Sequence, residues 1–301
     1  MRLTAISIGD AIPPADFDAS VHSVFRSAIN LSPAKEYHLL TLTASSQANL
    51  PQGMRVDTPE DFSFEIFCIG ESAACRDELL RLGPLTIDLR GARRWKCDLP
   101  SLRADLTNPS VETAWRSVWH VLNARQIESS AEIVAENLFR SDANLRAGAP
   151  RKAGEAMRGL LDATQRFDLT VASSLNELIG LGSGLTPSGD DLLVGYLAGL
   201  WCTVLDKSER IQFVSKLGKE VVRLSPQTTD ISRTYLFHAS RGQVSSRLAD
   251  LAGAICRGEN SDRLLTAVES AMQVGHTSGM DAVAGLLIGL VTWINPAAPY
   301  L

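Results

Sequence analysis

No run of basic residues, no closely spaced cysteine pair and no membrane-length apolar stretch occurs in the 301 residues of this chain. Each absence excludes something. A nucleic-acid binder concentrates Lys and Arg into a stripe, but here 29 bases are scattered among 34 acids for a net charge of −5. Short clusters such as Arg93-Arg94 read as solvated surface. The five cysteines (Cys68, Cys75, Cys97, Cys202 and Cys256) are odd in number and far apart, with neither CxxC nor zinc spacing. They read as reduced thiols of a cytoplasmic protein. The start, Met1 to Asp10, lacks the apolar core of a signal peptide. The longest uncharged apolar stretches, Leu192 to Leu205 and Ala282 to Ile294, have 14 and 13 residues. That is too short for a membrane span, so both are expected as buried helices.

Hydrophobic residues at 45% and charged residues at 21% are what a packed globular chain requires. The first hundred residues are strand-rich. Leu39 to Thr43, Phe62 to Phe67 and Leu85 to Leu89 are expected strands, with a short helix over Ala74 to Arg81 between them. From Ser110 onward the periodicity turns helical: Val111, Trp115, Val118, Trp119 and Leu122 share one face, as do Ala131, Val134, Leu138 and Phe139. The expected fold is α+β, with a strand-rich domain over 1–107 and a mainly helical domain over 108–301. Pro100 and Pro109 flank the boundary.

The helical half contains an internal repeat. Ser188-Gly189-Asp190-Asp191 and the following nine residues match Ser278-Gly279-Met280-Asp281 and their following nine. The shared pattern is Ser-Gly-x-Asp-x-x-x-Gly-x-x-x-Gly-Leu, offset by 90 residues. Gly195 with Gly199, and Gly285 with Gly289, fall on one helical face in each copy. A glycine inside a helix costs about 1 kcal/mol relative to alanine, so four of them imply close backbone contact. Two buried central helices, packed on their glycine faces about a pseudo-twofold axis, are therefore expected. Ser188 with Asp191, and Ser278 with Asp281, have the spacing of a capping box.

The segments ahead of each copy carry the candidate site. Gly182-Ser183-Gly184-Leu185-Thr186-Pro187 precedes the first, and Gly275-His276-Thr277 precedes the second. Helix N-termini present unpaired N–H groups and partial positive charge, which favours an anion. A third polar start is Thr228-Thr229-Asp230-Ile231-Ser232-Arg233, where Thr229 or Asp230 is an N-cap candidate. The Arg233 guanidinium is suited to hold a carboxylate or phosphate. The candidate substrate-binding set is Gly182, Ser183, Gly184, Thr186, Ser188, Thr229, Asp230, Ser232, Arg233, Thr277, Ser278 and Asp281. Asp190, Asp191 and His276 are the candidates for chemistry. The simpler account is that these are capped buried helices and nothing more. No dinucleotide or phosphate-loop motif is present, so no cofactor and no metal are expected. His22, His38, His120 and His238 are isolated, and neither Ser183 nor Ser188 has an evident base.

These same blocks, Gly182 to Asp191, Thr229 to Arg233 and Gly275 to Asp281, resemble a bacterial family that includes the AllH-type subunit of oxamate carbamoyltransferase. One departure lies early in the chain, where Gln47-Ala48-Asn49-Leu50-Pro51 stands in place of a glycine-flanked Asn and Pro. The resemblance implies a subunit that works with partner proteins in anaerobic allantoin breakdown. That enzyme interconverts oxalurate plus phosphate with oxamate plus carbamoyl phosphate, so the implied ligand is a small carboxylate or phosphate. Two other readings stay open: a non-catalytic subunit binding an anionic metabolite, and a metal-assisted carboxylase or hydrolase using Asp190, Asp191, Asp230 and Asp281. Where those acids point discriminates them.

Overall fold

The structure, a computed structural model, describes residues 1–35, 38–129, 131, 133–138, 148–259 and 262–293. The chain divides into two compact units, Met1–Cys97 and Asp98–Leu301.

The first unit is built from nine strands among the described residues: β1 (Arg2–Gly9), β2 (Phe17–Phe25), β3 (Ala28–Pro33), β4 (Leu40–Ala44), β5 (Gly53–Val56), β6 (Ser72–Arg76), β7 (Leu79–Leu82), β8 (Leu85–Asp88) and β9 (Arg93–Trp95). Eight close into a barrel, because β1 pairs with β5 along one edge and with β8 along the other. β9 extends the β8 edge by pairing with Ser7 to Gly9 of β1. Register breaks in β1 between Ala5 and Ser7, and in β2 between Val21 and Ser23, add the local bend that closure requires. Ile29, Leu31, Leu42, Met54, Val56, Leu80, Leu82 and Ile87 fill the core.

The expected strands at 39–43 and 85–89 form as β4 and β8. Two other expectations are corrected. Ala74 to Arg81 is not a helix but the β6–β7 hairpin, turned by Asp77 and Glu78 at φ 50° and 59°. Positive φ at both loop residues is the geometry that matches strand twist in a two-residue hairpin. Phe62 to Phe67 is not a strand. Its centre is a single 3₁₀ turn, Phe64–Ile66, capped by Ser63, whose side chain accepts from the Glu65 N–H.

The second unit is helical: α1 (Pro109–Glu128), α2 (Ala149–Gln165), α3 (Ala172–Leu178), α4 (Ser188–Cys202), α5 (Ser208–Leu224), α6 (Asp230–Ala239), α7 (Ser246–Cys256), α8 (Asp262–Met272) and α9 (Ser278–Val291). α1 starts at Asn108, whose side chain accepts from the Ser110 N–H, and buries the face predicted from Val111 to Leu122. The Trp115 indole donates to the Leu287 carbonyl at 2.9 Å and ties α1 to α9. Among the described residues from Ala131 to Leu138, a 3₁₀ turn, Ala135–Leu138, stands where an α-helix was expected; Phe139 lies outside the described residues.

α4 and α9 are the buried centre, and their glycines touch as the repeat predicts. A Cβ on Gly195 would lie 1.8 Å from the Ala282 carbonyl oxygen, and one on Gly285 would lie 2.0 Å from that of Leu192. Likewise Gly199 faces the Leu286 oxygen at 2.4 Å and Gly289 faces that of Tyr196 at 2.4 Å. In each pair of contacts the glycines are repeat mates, and so are the residues they face. The contact is therefore isologous about the pseudo-twofold axis. The partners advance together along both helices. α4 and α9 are thus parallel, and both N-termini sit at the same end. The symmetry extends to Gly189 and Gly279, which admit the carbonyls of Leu178 at the end of α3 and Ala271 at the end of α8.

Candidate functional site

Two parallel helix starts side by side bring positive dipole ends to one place, although the N–H groups of Gly189, Asp190, Asp191, Gly279 and Asp281 already donate to backbone carbonyls. Neither start uses the expected capping box. The N-cap residues are Pro187 and Thr277, Ser188 and Ser278 occupy the first helical position, and neither cap makes a side-chain hydrogen bond. The Ser278 hydroxyl instead lies 2.8 Å from that of Thr186, linking the loop before α4 to the start of α9.

The same loop is tied to α6. Thr229 is the N-cap there: its hydroxyl oxygen accepts from the Ser232 N–H at 3.1 Å and its O–H donates to the Leu185 carbonyl at 2.6 Å. Asp190 is buried behind it. Its carboxylate accepts from the Gly180 N–H at 2.9 Å and from the Thr228 hydroxyl, with Ser232 also favouring its charged form. Burial nonetheless outweighs these donors and pushes the Asp190 carboxyl up. Asp190 thus fastens the Gly180 turn, the α4 start and the α6 start together.

Asp191 faces the partner helix. Only 8% exposed, its carboxyl is approached by the hydroxyls of Ser278 and Thr186 and by the charges of Asp281 and Asp190. Its Oδ2 has no hydrogen-bond partner. Burial, reinforced by Asp281, holds its pKa well above the usual carboxylate range. Asp281, its repeat mate, is buried too. Tyr235 of α6 feels the Asp191 charge, and with burial its phenol is pushed up to about 12.

The remaining candidates are placed less centrally. Gly182, Ser183 and Gly184 are exposed, with Gly182 and Gly184 at positive φ. Ser188 is buried, Thr277 half-buried and His276 exposed. Arg233 ion-pairs with Asp230 on its own helix, and its buried Nε has no partner. Hydrogen bonds therefore join Thr186 to Ser278, Thr229 to the same loop, and Asp190 to the segment just before Thr229, with Asp191 and Asp281 beside them. Those bonds do not include Ser183, Arg233 or His276. Sequence reasoning passed over Gly180, Thr228 and Tyr235. Of these only Tyr235 lies in a helix, where it is three residues from Ser232 and so shares its face of α6. Among the described residues no group of three or more His, Cys, Asp or Glu side chains could hold a metal ion. A separate groove of about 450 Å³, lined by Trp201, Gly218, Lys219 and Arg241 among others, contains none of the candidate residues.

With this geometry, comparison with known families is decisive. Residues 178–290 match the family described as oxamate carbamoyltransferase subunit AllH, and residues 4–94 match the AllH family N-terminal domain. The chain is an AllH-type protein. The first match spans the whole repeat from the end of α3 through α9, and the second spans the barrel. No solved structure matches the chain. No helix among the described residues is long and apolar enough to cross a membrane.

Proposed function

We propose that this AllH-type chain is a subunit of a carbamoyltransferase complex and binds a small carboxylate or phosphate where the starts of α4, α6 and α9 meet. The observation that carries the reading is the pair of links Thr186–Ser278 and Thr229–Leu185, which gather three polar helix starts around one loop. Carbamoyl transfer builds negative charge on the carbamoyl oxygen, and fixed N–H and hydroxyl donors in a water-poor site stabilise such charge.

In this reading phosphate oxygen attacks the carbamoyl carbon of oxalurate, and the departing oxamate nitrogen takes a proton. Thr186, Ser278 and the backbone of the 182–188 and 275–278 loops would supply donors. Arg233 would hold the phosphate or carboxylate, and His276 would move the proton. Asp190, with both oxygens engaged by Gly180 and Thr228, acts as a positioning residue. The family's description as a subunit supports partner proteins that complete the site.

Calorimetric titration of oxamate, carbamoyl phosphate and inorganic phosphate into the purified chain tests the binding half. Carbamoyl transfer measured with and without partner subunits tests the catalytic half. Saturable binding without turnover in any combination would leave a non-catalytic anion-binding subunit. No binding of any of the three ligands would remove the proposal.

A further inference from the structure

Asp191 and Asp281 occupy equivalent positions of the repeat, so the pseudo-twofold axis brings two buried carboxyls to the same end of two parallel helices. Each helix start carries roughly half a positive charge. Two starts therefore offset about one ionised carboxylate, and a second buried charge is left uncompensated at considerable cost. The groups acting on Asp191 are Asp281 from α9, Asp190 from α4 and the hydroxyls of Ser278 and Thr186, and the Asp191 charge in turn reaches Tyr235 of α6. None of them is a cation. Asp191 also has an oxygen, Oδ2, that is buried and without a partner. A carboxylate oxygen in that position lacks a donor, whereas a protonated one is itself a donor awaiting an acceptor.

We infer that Asp191 carries a proton at neutral pH and that its Oδ2–H is a neutral hydrogen-bond donor for an oxygen of the bound ligand. A protonated carboxyl in a poorly solvated site is a strong donor for a carbonyl developing negative charge. The ligand it suits has a carbonyl, carboxyl or phosphoryl oxygen entering between the two helix starts. The donor role rests on the proposed ligand site; the proton does not.

Two experiments separate these parts. Thermal melts of the ligand-free chain and of Asp191→Asn across pH read the proton. An unfolded aspartate ionises near 3.9, while the folded Asp191 holds its proton longer. Between those values the folded state binds more protons, so wild-type stability falls relative to Asp191→Asn as pH rises above about 4. A pH-independent difference overturns the inference. Infrared spectra of ¹³C-aspartate-labelled wild type need no variant: a carboxylic acid band must persist at pH 7, and its absence is equally fatal. Oxamate, carbamoyl phosphate and phosphate titrations then read the donor. Asp191→Asn, which keeps an N–H donor, should bind within a few-fold of wild type, and Asp191→Ala should lose on the order of tenfold. Unaltered affinity in Asp191→Ala overturns the donor role. Failure of all three ligands to bind wild type removes the ligand site and the donor role with it, while the melts and spectra still decide the proton.

Discussion

The carbonyl oxygen of Ala282 lies 1.8 Å from where a side chain on Gly195 would begin. No rotamer relieves that overlap, because the obstructing atom is backbone. The two helices must separate or shift by more than an ångström to admit even a methyl group. Overpacking of a well-packed core costs typically about 1–3 kcal/mol, so Gly195→Ala and its repeat mate Gly285→Ala should each destabilise by at least that range. Denaturant unfolding measures it. Gly91, which has nothing within 4 Å, is the control, and Gly91→Ala should change stability little. Equal effects at all three positions would show that helix contact is not what the repeat glycines provide.

The Asp190 side chain is 1% exposed, yet it answers two donors from separate segments, the Gly180 N–H and the Thr228 hydroxyl. Asp190→Ala leaves both donors without an acceptor behind the loop. Hydrogen bonds to a charged group are worth about 1.5–3 kcal/mol each net. A loss of that order in unfolding free energy is expected, with faster amide exchange at Gly180 and in the 182–187 loop. Amide exchange confined to the far end of α4 would contradict the clamp.

How much of this was legible in the sequence depended on whether the signal was periodic or local. The α4–α9 contact could be read because glycines four apart weaken an apolar helix, and two copies of that cost point to backbone packed against backbone. The hairpin at Asp77-Glu78 could not, since both residues adopt positive φ without the Asn-Gly signature that usually announces such a turn. The capping boxes misled through a contact made elsewhere. Ser278 has the right spacing, but its hydroxyl is drawn across the pseudo-twofold interface to Thr186 rather than back to its own helix. Spacing along one helix carries no record of a neighbour 92 residues away. Asp191 was visible as a candidate, but its environment was not: the company of Asp281 and Tyr235 arises only from packing.

In the barrel, Asp88 is held between Arg2 and Arg90, and these partners keep its carboxyl well below the usual carboxylate range. Here the sign is opposite to that at Asp191. The folded state binds fewer protons than the unfolded chain, so the contribution is present above the unfolded pKa near 3.9 and is lost as pH falls through the lower folded value. Asp88→Asn should therefore be less stable than wild type at pH 7. The gap between their melting temperatures should close progressively below about pH 4. Both arginines are largely exposed, so the gap should also shrink in high salt. A gap unaffected by both pH and salt would assign the loss to packing instead.

Arg233 offers the sharpest separation of binding from folding. Its pair with Asp230 is an i,i+3 contact on one helix, with the two side chains 28% and 43% exposed. Such pairs contribute about 0.2–0.5 kcal/mol, so breaking this one should hardly move the melting temperature. A guanidinium has five N–H donors, and the buried Nε of Arg233 has no partner. The side chain thus retains donors beyond those that Asp230 engages. If those donors hold the anion, Arg233→Ala should weaken binding of oxamate or phosphate by about 1.5–3 kcal/mol, the range for charge-assisted hydrogen bonds. Arg233→Lys keeps the charge but loses the planar fork, so it should recover part of the affinity for phosphate and less for a carboxylate held bidentately. Calorimetry on the three proteins, beside matched melts, reads both quantities. Affinity unchanged in Arg233→Ala would take Arg233 out of the site and leave the helix starts and hydroxyls as its donors. A large fall in melting temperature would instead make Arg233 a structural residue of the α6 start.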